Sequence, residues 1–159
     1  MPTQPTSATT LNRRQIVTAM GTGVMAALVA SLYPRPASAT PDDVKKWLAA
    51  FNPGTPTPGK ITINAPDIAE NGNVVPIALS VDSPMTEQSY VKTIVMAADG
   101  NPLPGVMRVD LTPANGKADV QFRMRLMKTQ TVTAVALMSD GSLWSATKVI
   151  KVTIGGCGG

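Results

Sequence analysis

Between residues 60 and 154 the chain switches from apolar to polar and back at every second position, in short runs broken by turn-forming residues. The clearest run sets Ala118, Val120, Phe122, Met124 and Leu126 against Asp119, Gln121, Arg123 and Arg125. A period of two sends successive side chains to opposite faces of a strand, here one buried and one wet. Seven runs read as strands: 60–65, 74–81, 91–98, 106–111, 118–127, 131–138 and 143–154. Asn71-Gly72-Asn73, Asp99-Gly100-Asn101-Pro102, Asn115-Gly116 and Asp140-Gly141 lie between them and carry turn chemistry. Seven short strands at this spacing predict an all-β fold, an immunoglobulin-like antiparallel β-sandwich.

A different period precedes the strands. Thr40-Pro41-Asp42-Asp43 is a helix start, with a cap, a proline at the first position and acids in the first turn. Val44, Trp47, Leu48 and Phe51 then recur at helical spacing, so a short amphipathic helix should lay Trp47 and Phe51 on a core or a partner. Gly54 to Gly59, with Pro56 and Pro58, reads as a stiff connector. Aromatic residues are only 4% of the chain, so the core must come from Val, Ile, Leu, Met and Ala. Met85, Met96, Met107, Met124, Met127 and Met138 are expected to fill it. Arg123, Arg125 and Lys128 read as a solvated strand face, with a docking stripe as the alternative.

Residues 1–39 read as a twin-arginine signal peptide. Arg13-Arg14 stands just before an uncharged, Gly/Ala-rich run, and Ala37-Ser38-Ala39 is a small-residue site predicting cleavage after Ala39. The run is too short and too weakly apolar for a membrane span, so no membrane attachment is expected after cleavage. The formal net charge of +4 belongs mostly to this leader: without Arg13, Arg14 and Arg35, eleven basic residues face ten acidic ones. The remaining domain, 40–154, has no field for nucleic acid. The export route carries folded proteins, so a protein partner or simple fast folding is implied.

The chain has no histidine and one cysteine, Cys157. That excludes a Ser-His-Asp triad, a Cys-His dyad, a zinc finger and an internal disulfide, and no cofactor or metal site is expected. Cys157 sits in the terminal run Gly155-Gly156-Cys157-Gly158-Gly159. Glycine has the widest backbone freedom and no side chain to pack, so residues 155–159 read as a flexible C-terminal swinging arm. Nothing in the run would lower the thiol pKa, so Cys157 is unsuited to act as an enzyme's own nucleophile. It suits presentation to other proteins, or an intermolecular disulfide that tethers a structural sandwich to a neighbour. A carrier subunit without catalytic residues of its own is the first reading.

The leader, the opening helix, the segment from Asp67 to Pro76 (Asp-Ile-Ala-Glu-Asn-Gly-Asn-Val-Val-Pro) and the Gly-Gly-Cys-Gly-Gly end together resemble the Y subunit of the SoxYZ sulfur-carrier complex, from the thiosulfate-oxidising Sox system. The resemblance implies a periplasmic carrier that pairs with a SoxZ-type β-sandwich subunit. It implies covalent sulfur attachment at Cys157, with Gly155, Gly156, Gly158 and Gly159 as the arm. It also implies loading by the c-type cytochrome SoxAX, sulfate release by the manganese hydrolase SoxB, and further oxidation by the sulfur dehydrogenase SoxCD where present.

Overall fold

The computed structural model describes residues 38–153. Arg13 and Arg14, and the whole of 154–159 with Cys157 and its four glycines, lie outside the described residues. The first element is helix α1, Pro41–Phe51. Thr40 caps it: Asp43 N–H donates to Thr40 Oγ1 at 3.2 Å, and the Thr40 N–H and hydroxyl both donate to Asp43 Oδ2. These reciprocal bonds satisfy helix-end donors that otherwise lack partners. The Thr40 hydroxyl, then its N–H, holds the Asp43 carboxyl below its usual pKa.

Nine strands follow among the described residues: β1 Thr57–Pro58, β2 Ile61–Asn64, β3 Ile68–Ala69, β4 Val75–Val81, β5 Val91–Ala98, β6 Gly105–Asp110, β7 Asp119–Met124, β8 Gln130–Met138 and β9 Leu143–Val152. One sheet runs β1-β9-β8-β5-β6, with β3 also paired to β9; the other runs β2-β4-β7. The expected β-sandwich is present, and all seven expected strands are among the nine. The two additions, β1 and β3, pair with β9 in parallel, so the larger sheet is mixed rather than purely antiparallel. Each is only two residues long, placed by contact with β9 rather than by any local period. The 118–127 run stops as a strand at Met124, because Leu126 N–H donates to Gly72 O and Met127 N–H to Asn101 Oδ1 instead of extending the ladder with β4.

Between the sheets, Val75, Ile77 and Leu79 of β4 face Ile94 and Met96 of β5, Val132 and Ala134 of β8 and Ile150 of β9, all essentially solvent-free. Burying a side chain of this kind stabilises by about 1.5–3 kcal/mol before entropy is counted. Met85, Met96, Met124 and Met138 are in this core, Met107 is half-buried against it, and Met127 is exposed, contrary to the expected filler role.

A second packing layer lies on the other face of the large sheet. Trp47 of α1 stacks so closely over β6 that a Cβ on Gly105 would come within 2.6 Å of its indole carbons. Phe51 takes the guanidinium of Arg108 at 5.5 Å from its ring centroid. Gly105 is what lets the helix lie flat. A Gly105→Ala chain should therefore lose about 1–3 kcal/mol through overpacking. Chemical denaturation checks this, with quenching of Trp47 fluorescence reporting whether the helix has lifted.

Candidate functional site

Sequence reasoning places the chemistry at Cys157, four residues beyond the last described one, Thr153. What the structure supplies is the root from which that segment leaves. β9 is gripped on both edges up to its end. On one side Lys151 N–H donates to Asp67 O at 2.9 Å and Thr153 N–H to Ala69 O at 3.1 Å, the two ends of the parallel pairing with β3. On the other side Val152 N–H donates to Thr129 Oγ1 at 3.0 Å.

The turn that holds β3 in place depends on Gly72. A Cβ there would lie 2.4 Å from the backbone oxygen of Leu126 and 2.9 Å from Val152 Cγ1. Gly72 O also accepts the Leu126 N–H at 2.7 Å. Its backbone thus runs directly against both the 125–129 turn and the end of β9. Lys148 adds a polar clamp: its Nζ donates to Ala65 O at 2.7 Å and pairs with Asp67 Oδ1 at 2.9 Å. This hydrogen bond, and then the charge of Lys148, hold the Asp67 carboxyl below its usual pKa of 3.8. A carboxyl with a depressed folded pKa contributes stability above its unfolded value and loses it as the pH falls through the folded one. The clamp is therefore expected to be intact at neutral pH and to open below about pH 3.8. Amide exchange of Lys151 and Thr153, followed from pH 5 to pH 2.5, checks this, with Asp67→Asn as a variant that lacks the transition.

Cys157 is the fourth residue after Thr153, so its Cα lies no more than about 13–14 Å from the Thr153 Cα, at the extended-chain limit of ~3.3–3.6 Å per residue. Of the residues forming the root, Ala69 and Gly72 stand within the Asp67–Pro76 segment that carries the family resemblance, with Gly72 also in the Asn71-Gly72-Asn73 turn, whereas Thr129 and Lys148 were not singled out from sequence. Arg123 and Arg125 are exposed at the far edge of β7 and just past its end, and Lys128 is exposed in the following turn. At the other end of the domain Ala39 is buried, and its N–H donates to Asn101 O at 2.7 Å. The expected cleavage point thus falls between this seated residue and the helix cap. Among the described residues no three His, Cys, Asp or Glu side chains gather as a metal site would need. No described helix is long and apolar enough to cross a membrane.

The family model for the sulfur oxidation protein SoxY matches residues 48–157, from the opening helix through to the lone cysteine. The chain belongs to the SoxY family. Among solved structures it is similar to the sulfur carrier protein SoxY from Chlorobium limicola f thiosulfatophilum, with 31% identity and a TM-score of 0.60 over 71% of this chain and 98% of that one. SoxY membership carries a sulfur-carrier role in sulfur oxidation and, with it, partners from the Sox system. The fold is shared more widely. A superoxide reductase (neelaredoxin) from Ignicoccus hospitalis aligns at 24% identity and a TM-score of 0.54, over 74% of this chain and 96% of that one. A superoxide reductase from Nanoarchaeum equitans aligns at 11% identity and a TM-score of 0.51, over 60% of this chain and all of that one. At those identities the likeness is one of fold. No curated protein matches the chain.

Proposed function

We propose that this SoxY-family chain is a periplasmic covalent carrier of sulfur intermediates in thiosulfate oxidation, holding the adduct on Cys157. The observation that carries the reading is that the family match runs to residue 157, the chain's one cysteine, just beyond a strand gripped on both edges. Residues 155–159 then serve as the arm, and partner enzymes supply the chemistry. In the first step the Cys157 thiolate and the outer sulfur of thiosulfate form an S–S bond, and the two electrons released pass to a SoxAX-type cytochrome. In the second, water cleaves the terminal sulfonate as sulfate and two protons at a SoxB-type hydrolase, leaving a persulfide on Cys157. A SoxCD-type dehydrogenase, where present, takes that sulfur further, and a SoxZ-type sandwich subunit is the standing partner. The subunit contributes no catalytic group of its own.

Export along the twin-arginine route, directed by Arg13-Arg14, fits this role. Cleavage after Ala39 would leave Thr40, the helix cap, as the first residue, so processing spares α1. The test is the intact mass of the protein purified from cells oxidising thiosulfate. Additions on Cys157 that a reductant removes, and that change when thiosulfate is withdrawn, are the expected result. A stoichiometric, reductant-sensitive cross-link to a neighbour with no exchangeable cargo overturns the reading in favour of a disulfide-tethered structural sandwich.

A further inference from the structure

A two-layer sandwich has two open sides, and this one treats them differently. On the side of β9, the strands β1 and β3 add to the free edge, and Lys148 bridges across to Ala65 and Asp67. On the other side, among the described residues, β6 pairs only with β5, and β7 only with β4. Both outer edges therefore present unpaired backbone donors and acceptors, which templates strand addition. Between them opens a cleft of about 500 Å³. Met107 and Phe122 line it half-buried, while Leu103 and Met127 stand at its rim with 73% and 55% of their surface exposed. These are the largest apolar exposures on this side of the domain, and flexible methionines suit a surface that must adapt to what covers it. Arg123 and Arg125 border the same cleft, exposed, with no carboxylate placed against either among the described residues. Edge cations often guard a strand against unwanted pairing, but guarding does not account for apolar side chains left bare beside them.

We infer that the β6–β7 seam is a docking surface, and that its occupant is an edge strand of a second β-sandwich subunit, with apolar side chains turned into the cleft and carboxylates facing Arg123 and Arg125. The inference rests on the carrier reading only in taking that subunit to be the SoxZ-type partner. The geometry leaves the carrier end free. The 125–129 turn borders the seam through Arg125 and Met127 and the root of the last strand through Thr129. A subunit seated there lies beside the departing chain while β9 keeps its own grip.

The experiment co-expresses the full chain with the SoxZ-type sandwich subunit and measures the dissociation constant of the pair, with amide hydrogen exchange of the free and paired chain. Leu103→Glu and Arg125→Glu test the seam. Val149→Glu, at an exposed position on the outer face of β9, is the control. Leu103 and Arg125 lie outside the strands, and thermal unfolding confirms that each variant folds. The expected result is at least tenfold weaker pairing for both seam variants, an unchanged constant for Val149→Glu, and new protection in the pair along the one edge to which the partner strand adds, residues 105–110 or 119–124. A pair that forms but ignores the seam variants, or leaves both edges unprotected, overturns the seam while the partner reading stands. Protection of the same amides in the chain alone, with self-association, overturns the choice of occupant. Failure of any pair to form overturns the partner reading and the inference with it, and leaves the mass test of Cys157 unaffected.

Discussion

A Cys157→Ser chain is expected to fold as the parent does and to carry no sulfur at all. The first half follows from the core, whose buried residues end with Ile150 and whose strands end with Val152. The described core and sheets are built among residues 38–153, so the melting temperature is expected to be unchanged. The second half follows from composition, because one cysteine leaves no second thiol to take the load. Serine keeps the size and loses the nucleophile: an alcohol is ionised at neutral pH many orders of magnitude less than a thiol of pKa ~8.5. Thiosulfate oxidation reconstituted with the variant should fall to background, and intact masses should show no addition. Full activity in Cys157→Ser would end the carrier proposal for this residue.

Gly72→Ala is expected to be the most damaging small substitution near the root, costing about 1–3 kcal/mol of stability. The added carbon would meet a backbone oxygen at 2.4 Å, and a backbone oxygen cannot swing aside as the end of a side chain can. Either the 125–129 turn or the strand bearing Val152 must move. Movement of the turn lengthens the bond from Leu126 N–H to Gly72 O, and movement of the strand weakens those from Val152 and Thr153. Chemical denaturation gives the stability, and amide exchange at 150–153 shows whether the loss is local. Gly116→Ala is the comparison: its Cβ meets nothing within 4 Å, so any cost there comes from its positive φ of 70° and leaves the root untouched.

Strand existence was legible because the signals were local. Alternation at 118–124 and the Asp140-Gly141 turn act within a few residues, and both the strand and the turn stand where they were expected. What local pattern could not carry was anything decided by a distant partner. Ile68 and Ala69 form a strand only because Lys151 and Val152 lie alongside, and Arg125 leaves the ladder only because Asn101 and Gly72 compete for the backbone of the next turn. Met127 falls on the polar side of the same alternation, with Arg123 and Arg125, and is exposed as that parity requires, whereas the expectation of a core filler rested on residue type alone. Gly105 read as nothing until Trp47 was seen above it. For the proposed site, Cys157 drew notice in the sequence because it is compositionally isolated. The strand edges that anchor the chain ahead of it did not, since hydrogen bonds to Ala69 O and Thr129 Oγ1 leave no mark on sequence periodicity.

On the carrier function proposed above, the bonds that fasten Thr153 would set a depth gauge for any enzyme acting on Cys157. Four residues separate Thr153 from Cys157, so the cysteine Cα reaches about 13–14 Å and its sulfur roughly 3 Å further at the limit of an extended chain, and a reacting centre sunk more than about 17 Å below its entrance would lie beyond the thiol. Such enzymes would either keep their reacting centres shallow or open a mouth wide enough to admit the blunt tip of the sandwich, and the width of that vestibule should track the depth of the centre from one to the next.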